Sequence, residues 1–568
     1  MIKNLPVLSY LLALLFGLPL TAETQTVPVG MPVLSETYRQ AQLLGTINPN
    51  VSFTSLPLFP KASFSVKNSF YPDSTREKPL TSTEGGIFSF GNRHGQLQLL
   101  PVTWQQQYNT LHPQGINDGA MIPSRGYETF FRAGIYVQYK FLSIQLYPEV
   151  VYAQNKAYDG FPTDYPDIRW AQHYWTLNLI DLPERFGDGA YTKITWGQSS
   201  IRLTFGAVSL GLSNENLWWG PGVRNTLIMT NNAAGFKHLT LNTVRPVNTF
   251  IGSFEWQLIA GRLDPSGYLP PGSDKTYHGE PLYSPKPDDW RYLNGLLITW
   301  HPRWVPGLFV GFARTVQQYH ENQGGNLKDF FPVFMPLGLE KAGGDSELAK
   351  KRSQLYSFFA RWLWVKAHGE VYFEYGRSDY FWDKRDLKVE LAHSGAFVLG
   401  FRKLIPLKAH HGQQIQVLVE FTQLAMNATT RNRNGLSWYL NKAVVAGYTQ
   451  EGQLLGAGIG PGSNLQTLEV NWVKSLKMIG IRLEREVHNN DFFFSYIKDI
   501  RRNWVDLNVA LLGQWSFRKQ LLLNGQLEFV RSLNYQWQYT PPPDPDFWGG
   551  EGKDITNIHF KVGITYRF

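Results

Sequence analysis

Two adjacent tryptophans, Trp218 and Trp219, followed by Gly220-Pro221-Gly222, Arg224 and Asn225, carry the most distinctive chemistry of this 568-residue chain. Pro221 fixes φ, and the two glycines let the backbone turn tightly or approach another chain. The apolar face of a sugar ring packs on an indole, while Arg224 or Asn225 could bind hydroxyls or carboxylates. The competing reading is a structural corner that orients a loop or fills a lumen. A second stretch brings together Arg431, Arg433, Tyr439 and Tyr448, which could meet an acidic glycan or simply be solvated. The Gly456-x-Gly458-x-Gly460-x-Gly462 run is not a phosphate loop, because Leu468, Val470 and Trp472 announce a strand where a helix N-terminus would be required. It reads as a conformationally defined extracellular loop.

Enzyme motifs are missing from the sequence: there is no Gly-x-Ser-x-Gly and no His-Glu-x-x-His, and the 13 histidines are scattered. Asp288, Asp289 and His278 on one loop keep a barrel hydrolase as a minor alternative. With no Cys, disulfides, thiolate metal sites and a lipidated cysteine are excluded. No metal and no cofactor is expected. A net charge of +9, one less once Lys3 leaves with an export signal, permits attraction to an anionic polymer. No basic run or helix points to nucleic acid.

The elements that must position these residues are strands. In the last twelve residues Ile558, Phe560, Val562, Ile564, Tyr566 and Phe568 alternate with Asn557, His559, Lys561, Thr565 and Arg567, a lipid-out, lumen-in pattern ending on a terminal aromatic. Phe131 to Phe141 and Ile144 to Tyr152 form a hairpin around a turn at Lys140 to Ser143. Further strands recur in 250–261, 296–300 with 308–312, and 415–421. Charged residues are 17% and aromatics 15% of the chain, and the mean hydropathy is −0.27, too polar for a helical membrane protein. At the other end Lys3, the apolar run Leu5 to Leu20 and Thr21-Ala22 predict a signal peptide over residues 1–22.

The fold expected is all-β: a transmembrane antiparallel barrel of about 18 strands over residues 96–568, in the cell outer membrane. The connections 158–169, 263–289, 317–351, 429–464 and 539–554 read as extracellular loops. Residues 23–95 form a short periplasmic or plug segment with one helix within Pro32 to Gly45. The inward glutamates Glu149, Glu255, Glu374, Glu420 and Glu528 read as solvated lining charges of a polar lumen. Phe568 is expected to matter for assembly, which makes outer-membrane lipid and the barrel assembly machinery partners.

Asn214 to Gly222, Leu227 to Phe236, Asp329 to Phe334, Phe358 to Trp364 and Gly447 to Asn464, in this order, resemble the Wzi family of capsule-assembly outer-membrane proteins. The resemblance covers Gly211 to Trp472. It implies a lectin-like barrel that holds surface polysaccharide without cleaving it, with components of polysaccharide export as further partners. The family's N-terminal helical bundle is not evident in 23–95. A diffusion porin or polysaccharide export channel is the alternative.

Overall fold

In the computed structural model, residues 24–72 (except 32), 86–337 (except 93), 351–378, 384–427 (except 391, 409 and 411), 435–542 and 547–568 are described. The predicted signal peptide, Arg431 and Arg433 lie outside the described residues.

Period-2 alternation produces the wall. In the closing strand Ile555–Tyr566 the side chains of Ile558, Phe560 and Tyr566 are exposed to the lipid side, while Asn557, His559 and Thr565, and Arg567 just after the strand, are buried on the lumen side. This strand pairs with Leu521–Leu533 and with the first long strand, Gly95–Asn109. The antiparallel sheet therefore closes as an 18-stranded barrel. Pro148 has no N–H to give to a ladder and splits one wall strand into Leu142–Leu146 and Glu149–Ala153. No helix among the described residues is long and apolar enough to cross a membrane; the crossing is made by strands.

Short turns such as 140–141, 206–207 and 475–476 mark the periplasmic rim, and long connections mark the extracellular one. Beyond the loops expected from composition, 214–237 and 488–504 are also long extracellular-side connections.

The segment 24–72 lies inside the periplasmic half of the barrel. Its helix, Leu34–Leu43, sits within the predicted span and ends where Gly45, with φ 71°, gives its N–H to Gln42 O and Thr46 gives its own to Ala41 O. That is a Schellman cap, which needs a residue tolerant of positive φ. Leu34 and Tyr38 pack with Phe53, Leu58 and Phe70 and with wall residues Leu100, Tyr136, Leu476 and Leu522. A further short helix, Pro60–Phe64, follows. The plug is held to the wall by charge: Arg39 Nε contacts Glu370 Oε1 at 2.9 Å, and Arg402 contacts Glu36 at 2.8 Å. At the terminus Tyr71 Oη donates to the carbonyls of Arg567 (3.2 Å) and Phe568 (3.0 Å).

The inward glutamates are not solvated. Glu149 meets Arg132 at 3.1 Å, Glu255 accepts the Ser52 N–H at 2.8 Å, and Glu528 meets His559 at 3.3 Å. The lumen is filled with protein, so a carboxylate pointing inward needs a partner to offset its lost hydration.

Candidate functional site

Two regions compete for the role of functional site: a knot of loops inside the lumen and a cleft on the extracellular face. The knot contains nearly every residue that the sequence singles out. Trp218 and Trp219 form a two-residue strand that pairs with Ser55–Leu56 of the plug. Trp219 is 0% and Trp218 7% exposed, and Trp219 Nε1 donates to Gln257 Oε1 of the wall at 2.8 Å. Protein covers both indoles, so a sugar could reach them only if the knot opened.

The turn after them has one purpose that its sequence explains. A Cβ on Gly222 would lie 1.8 Å from Asn225 O, so only glycine fits. The tight turn aims three successive N–H groups at one carboxylate: Val223, Arg224 and Asn225 donate to Glu420 at 2.7, 3.1 and 2.8 Å. Tyr372 Oη donates to the same carboxylate at 2.7 Å. Next to it Glu374 accepts the Leu227 N–H at 3.1 Å. A nest of backbone donors around a buried anion is a strong, oriented lock. Arg224 is spent on a bidentate pair with Glu484, at 2.8 and 3.0 Å, and Pro221 O accepts from Arg39 of the plug at 2.8 Å.

The glycine-rich connection does not stay outside, contrary to the extracellular loop expected of it. Gly456 lies where a Cβ would come 2.4 Å from Tyr439 Oη, and Tyr439 Oη donates to Leu227 O at 3.0 Å. Tyr439 and Tyr448 stack on each other at 6.0 Å and are buried. Thr230 N donates to Leu455 O at 2.7 Å, which ties the two connections together. Gly220, Gly458, Gly460 and Gly462 occupy the same knot or its exit toward the strand Asn464–Lys474.

The cleft is built from segments without a motif. Helix Asp167–Leu177 starts after Pro166, with Asp167 in its first turn. It pins the neighbouring loop: Lys275 Nζ lies 4.7 Å over the Trp170 ring, and Tyr174 Oη donates to Pro271 O at 2.7 Å. After the helix, Asn178 clamps the next stretch, donating to Leu282 O at 2.9 Å and accepting from Ser284 N at 3.0 Å. Asp181 holds Ser266 through both oxygens, at 2.7 and 2.6 Å, while its own N–H donates to Ala446 O of the knot at 2.8 Å.

These clamps leave a cavity of about 180 Å³ between residues 177–183, 265–270 and 283–289. Its walls include Tyr268, Leu269, Tyr283 and several prolines, with Asp288 and Asp289 at its polar side. His278 is not part of this lining. The prolines and tyrosines give flat apolar faces and the aspartates give acceptors, a combination suited to a hydroxyl-bearing ring. Sequence reasoning missed the cleft; its one signal was the Asp288-Asp289 pair.

A closed outer-membrane barrel, filled by its own N-terminal segment and inward-folded loops and carrying a surface cleft, defines the class of this protein. The family model for capsule assembly protein Wzi matches residues 113–536, and the chain belongs to that family. It is an outer-membrane protein of capsule assembly. No curated protein sequence matches it. Among solved structures it is similar to Wzi of Escherichia coli, described as an outer-membrane protein involved in group 1 capsule assembly and a carbohydrate-binding β-barrel. The two share 13% identity and a TM-score of 0.58 over 96% of this chain and 100% of that one, a likeness of fold. OccAB2 of Acinetobacter baumannii (10% identity, TM-score 0.38, 82% and 98% covered) and OprD of Pseudomonas aeruginosa (10%, 0.36, 86% and 96%) match too loosely to bear on function.

Proposed function

We propose that this protein holds long-chain surface polysaccharide at the extracellular face of the outer membrane and does not cleave it. The observation that carries this reading is the filling of the lumen from both ends. Plug and knot occupy the space through which a polymer would thread, so contact with a glycan falls to the extracellular surface. Family membership and the carbohydrate binding described for the Escherichia coli protein support it.

On this reading the cleft makes direct contacts, and Arg431 and Arg433 meet acidic parts of the polymer. Trp218, Trp219, Arg224, Asn225, Tyr439 and Tyr448 contribute by holding the loops in register. Residues 24–72, which face the periplasm, are where export components would dock, and Phe568 is read by the barrel assembly machinery. Deleting the gene and imaging the polymer tests the reading. A layer lost from cells and recovered in the medium supports anchoring; a layer never made or kept inside points to export. Incubation with the cognate capsule should leave chain length unchanged, whereas shortening would favour a hydrolase working through Asp288 and Asp289. Planar-bilayer recordings should give no porin-sized conductance.

A further inference from the structure

The walls of the cleft carry an uneven set of charges. Its two cations are already engaged. Arg291 is buried and donates to Gly447 O and Thr449 O at 2.8 Å each. Lys286 donates to Leu177 O at 2.9 Å and lies 5.7 Å over the Tyr283 ring.

Of the three carboxylates, Asp181 has both oxygens on Ser266. Asp289, which lines the cleft, uses Oδ2 to accept the Glu321 N–H at 2.8 Å, and its Oδ1 takes no part in that bond. Asp288 is exposed at the rim. The walls therefore hold three carboxylates against two cations, beside the apolar surfaces of Tyr268, Tyr283, Leu269 and proline rings. A uronate, phosphate or ketal carboxylate would meet a net like charge there, which costs binding. An uncharged ring offers hydroxyl donors to the carboxylates and a C–H face to the aromatics.

We infer that this cleft is a subsite for one uncharged pyranose of the polymer, oriented by donation from its hydroxyls to Asp288 and Asp289 and packed on Tyr268 and Tyr283. The volume of about 180 Å³ suits roughly one sugar residue. The inference rests on the polysaccharide-holding reading, and it assigns acidic residues of the repeat to places other than this cleft.

The test uses the full-length protein in detergent with three probes: the cognate capsule polymer, an uncharged hexose oligosaccharide, and its uronate counterpart of equal length. The wild type should bind the polymer and prefer the uncharged oligosaccharide about tenfold or more, in line with the cost of one unpaired charge contact. The Asp288→Asn, Asp289→Asn double variant removes the repulsion but keeps an acceptor at each position, so the uronate should gain and the preference should narrow several-fold. Asp188→Asn removes a fully exposed carboxylate of the same extracellular face, outside the cleft, and should leave the ratio unchanged. Equal wild-type binding of the two oligosaccharides, or an unchanged ratio in the double variant, overturns the inference while leaving the polysaccharide reading in place. Failure of the wild type to bind the polymer overturns that reading, and the inference with it.

Discussion

The knot and the cleft differ in how they earn their shape. The knot is dense with glycine, tryptophan and paired charge, and it is closed; the cleft is made of prolines, tyrosines and aspartates from distant loops, and it is open. Conspicuous residues such as Trp219 and Gly222 are constrained because backbone must pass close to backbone and an indole must fill a lumen. A surface that touches a polymer has no such steric demand. Distinctiveness in this chain therefore marks packing, and ligand contact has to be sought elsewhere.

If that division is right, substitutions in the knot change stability without changing the affinity of whatever folds. Glu420→Ala should have the largest effect. It strips the acceptor from three N–H groups and the Tyr372 hydroxyl, at a cost on the order of 3–5 kcal/mol. The gel shift between unheated and boiled protein should collapse at a much lower temperature; an unaltered transition would show that the nest is dispensable. Trp219→Ala comes next, at about 3 kcal/mol or more for the cavity left in the lumen. Its folded fraction should bind capsule polymer as tightly as wild type, and a selective loss of binding would return the tryptophans to the contact surface.

A smaller effect should appear where the extracellular loops pack on themselves. Burial pushes the Glu184 carboxyl up from 4.5 to about 7 and the nearby His173 imidazole down from 6.5 to about 3. The carboxyl takes the Phe161 N–H at 3.3 Å, and the imidazole stacks on the Phe161 ring at 4.0 Å. Folding favours the protonated carboxyl, so its contribution is full below about pH 4.5 and is lost as pH rises through about 7. The imidazole runs the other way, full above about 6.5 and lost as pH falls toward 3. Between about pH 4.5 and 6.5 the two trends offset each other in the wild type, whereas Glu184→Gln keeps only the imidazole, so hydrogen-exchange protection over residues 158–184, corrected for the base-catalysed intrinsic rate, should stay level in the wild type and rise with pH over this window in the variant. Last, Leu269→Ser at the cleft mouth, where the side chain is 62% exposed, should shift stability by less than about 0.5 kcal/mol. It should weaken glycan binding alone; a stability loss comparable to that of Trp219→Ala would erase the contrast between the two regions.

The wall was legible because lipid on one side and protein on the other impose a period of two, as Ile558 to Tyr566 illustrates. The helix over Leu34–Leu43 and the turn at Lys140 were legible for equally local reasons. What could not be read was the direction in which loops fold. Trp218 finds its strand partner at Leu56 and the 223–225 turn its anion at Glu420, and pairings across such separations leave no periodic trace. The same blindness made Glu149, Glu255 and Glu528 look like solvated charges. The cleft was harder still, since residues 265–270 and 283–289 read only as loop, residues 177–183 fell outside every connection assigned, and Asp288 and Asp289 stood out for catalysis rather than for recognition.

The bond between Asp181 N and Ala446 O, together with those from Arg291 to Gly447 O and Thr449 O, gives the cleft a mechanical footing. A chain tugged by flow would load the loops at 181 and 266. The pull would pass through these bonds into the knot, from there through Glu420 and Glu374 into neighbouring wall strands, and through Arg39 into the plug. Tension entering at one sugar is thus shared as shear among many parallel hydrogen bonds of the wall, so the tether should yield at the glycan contact before the barrel does.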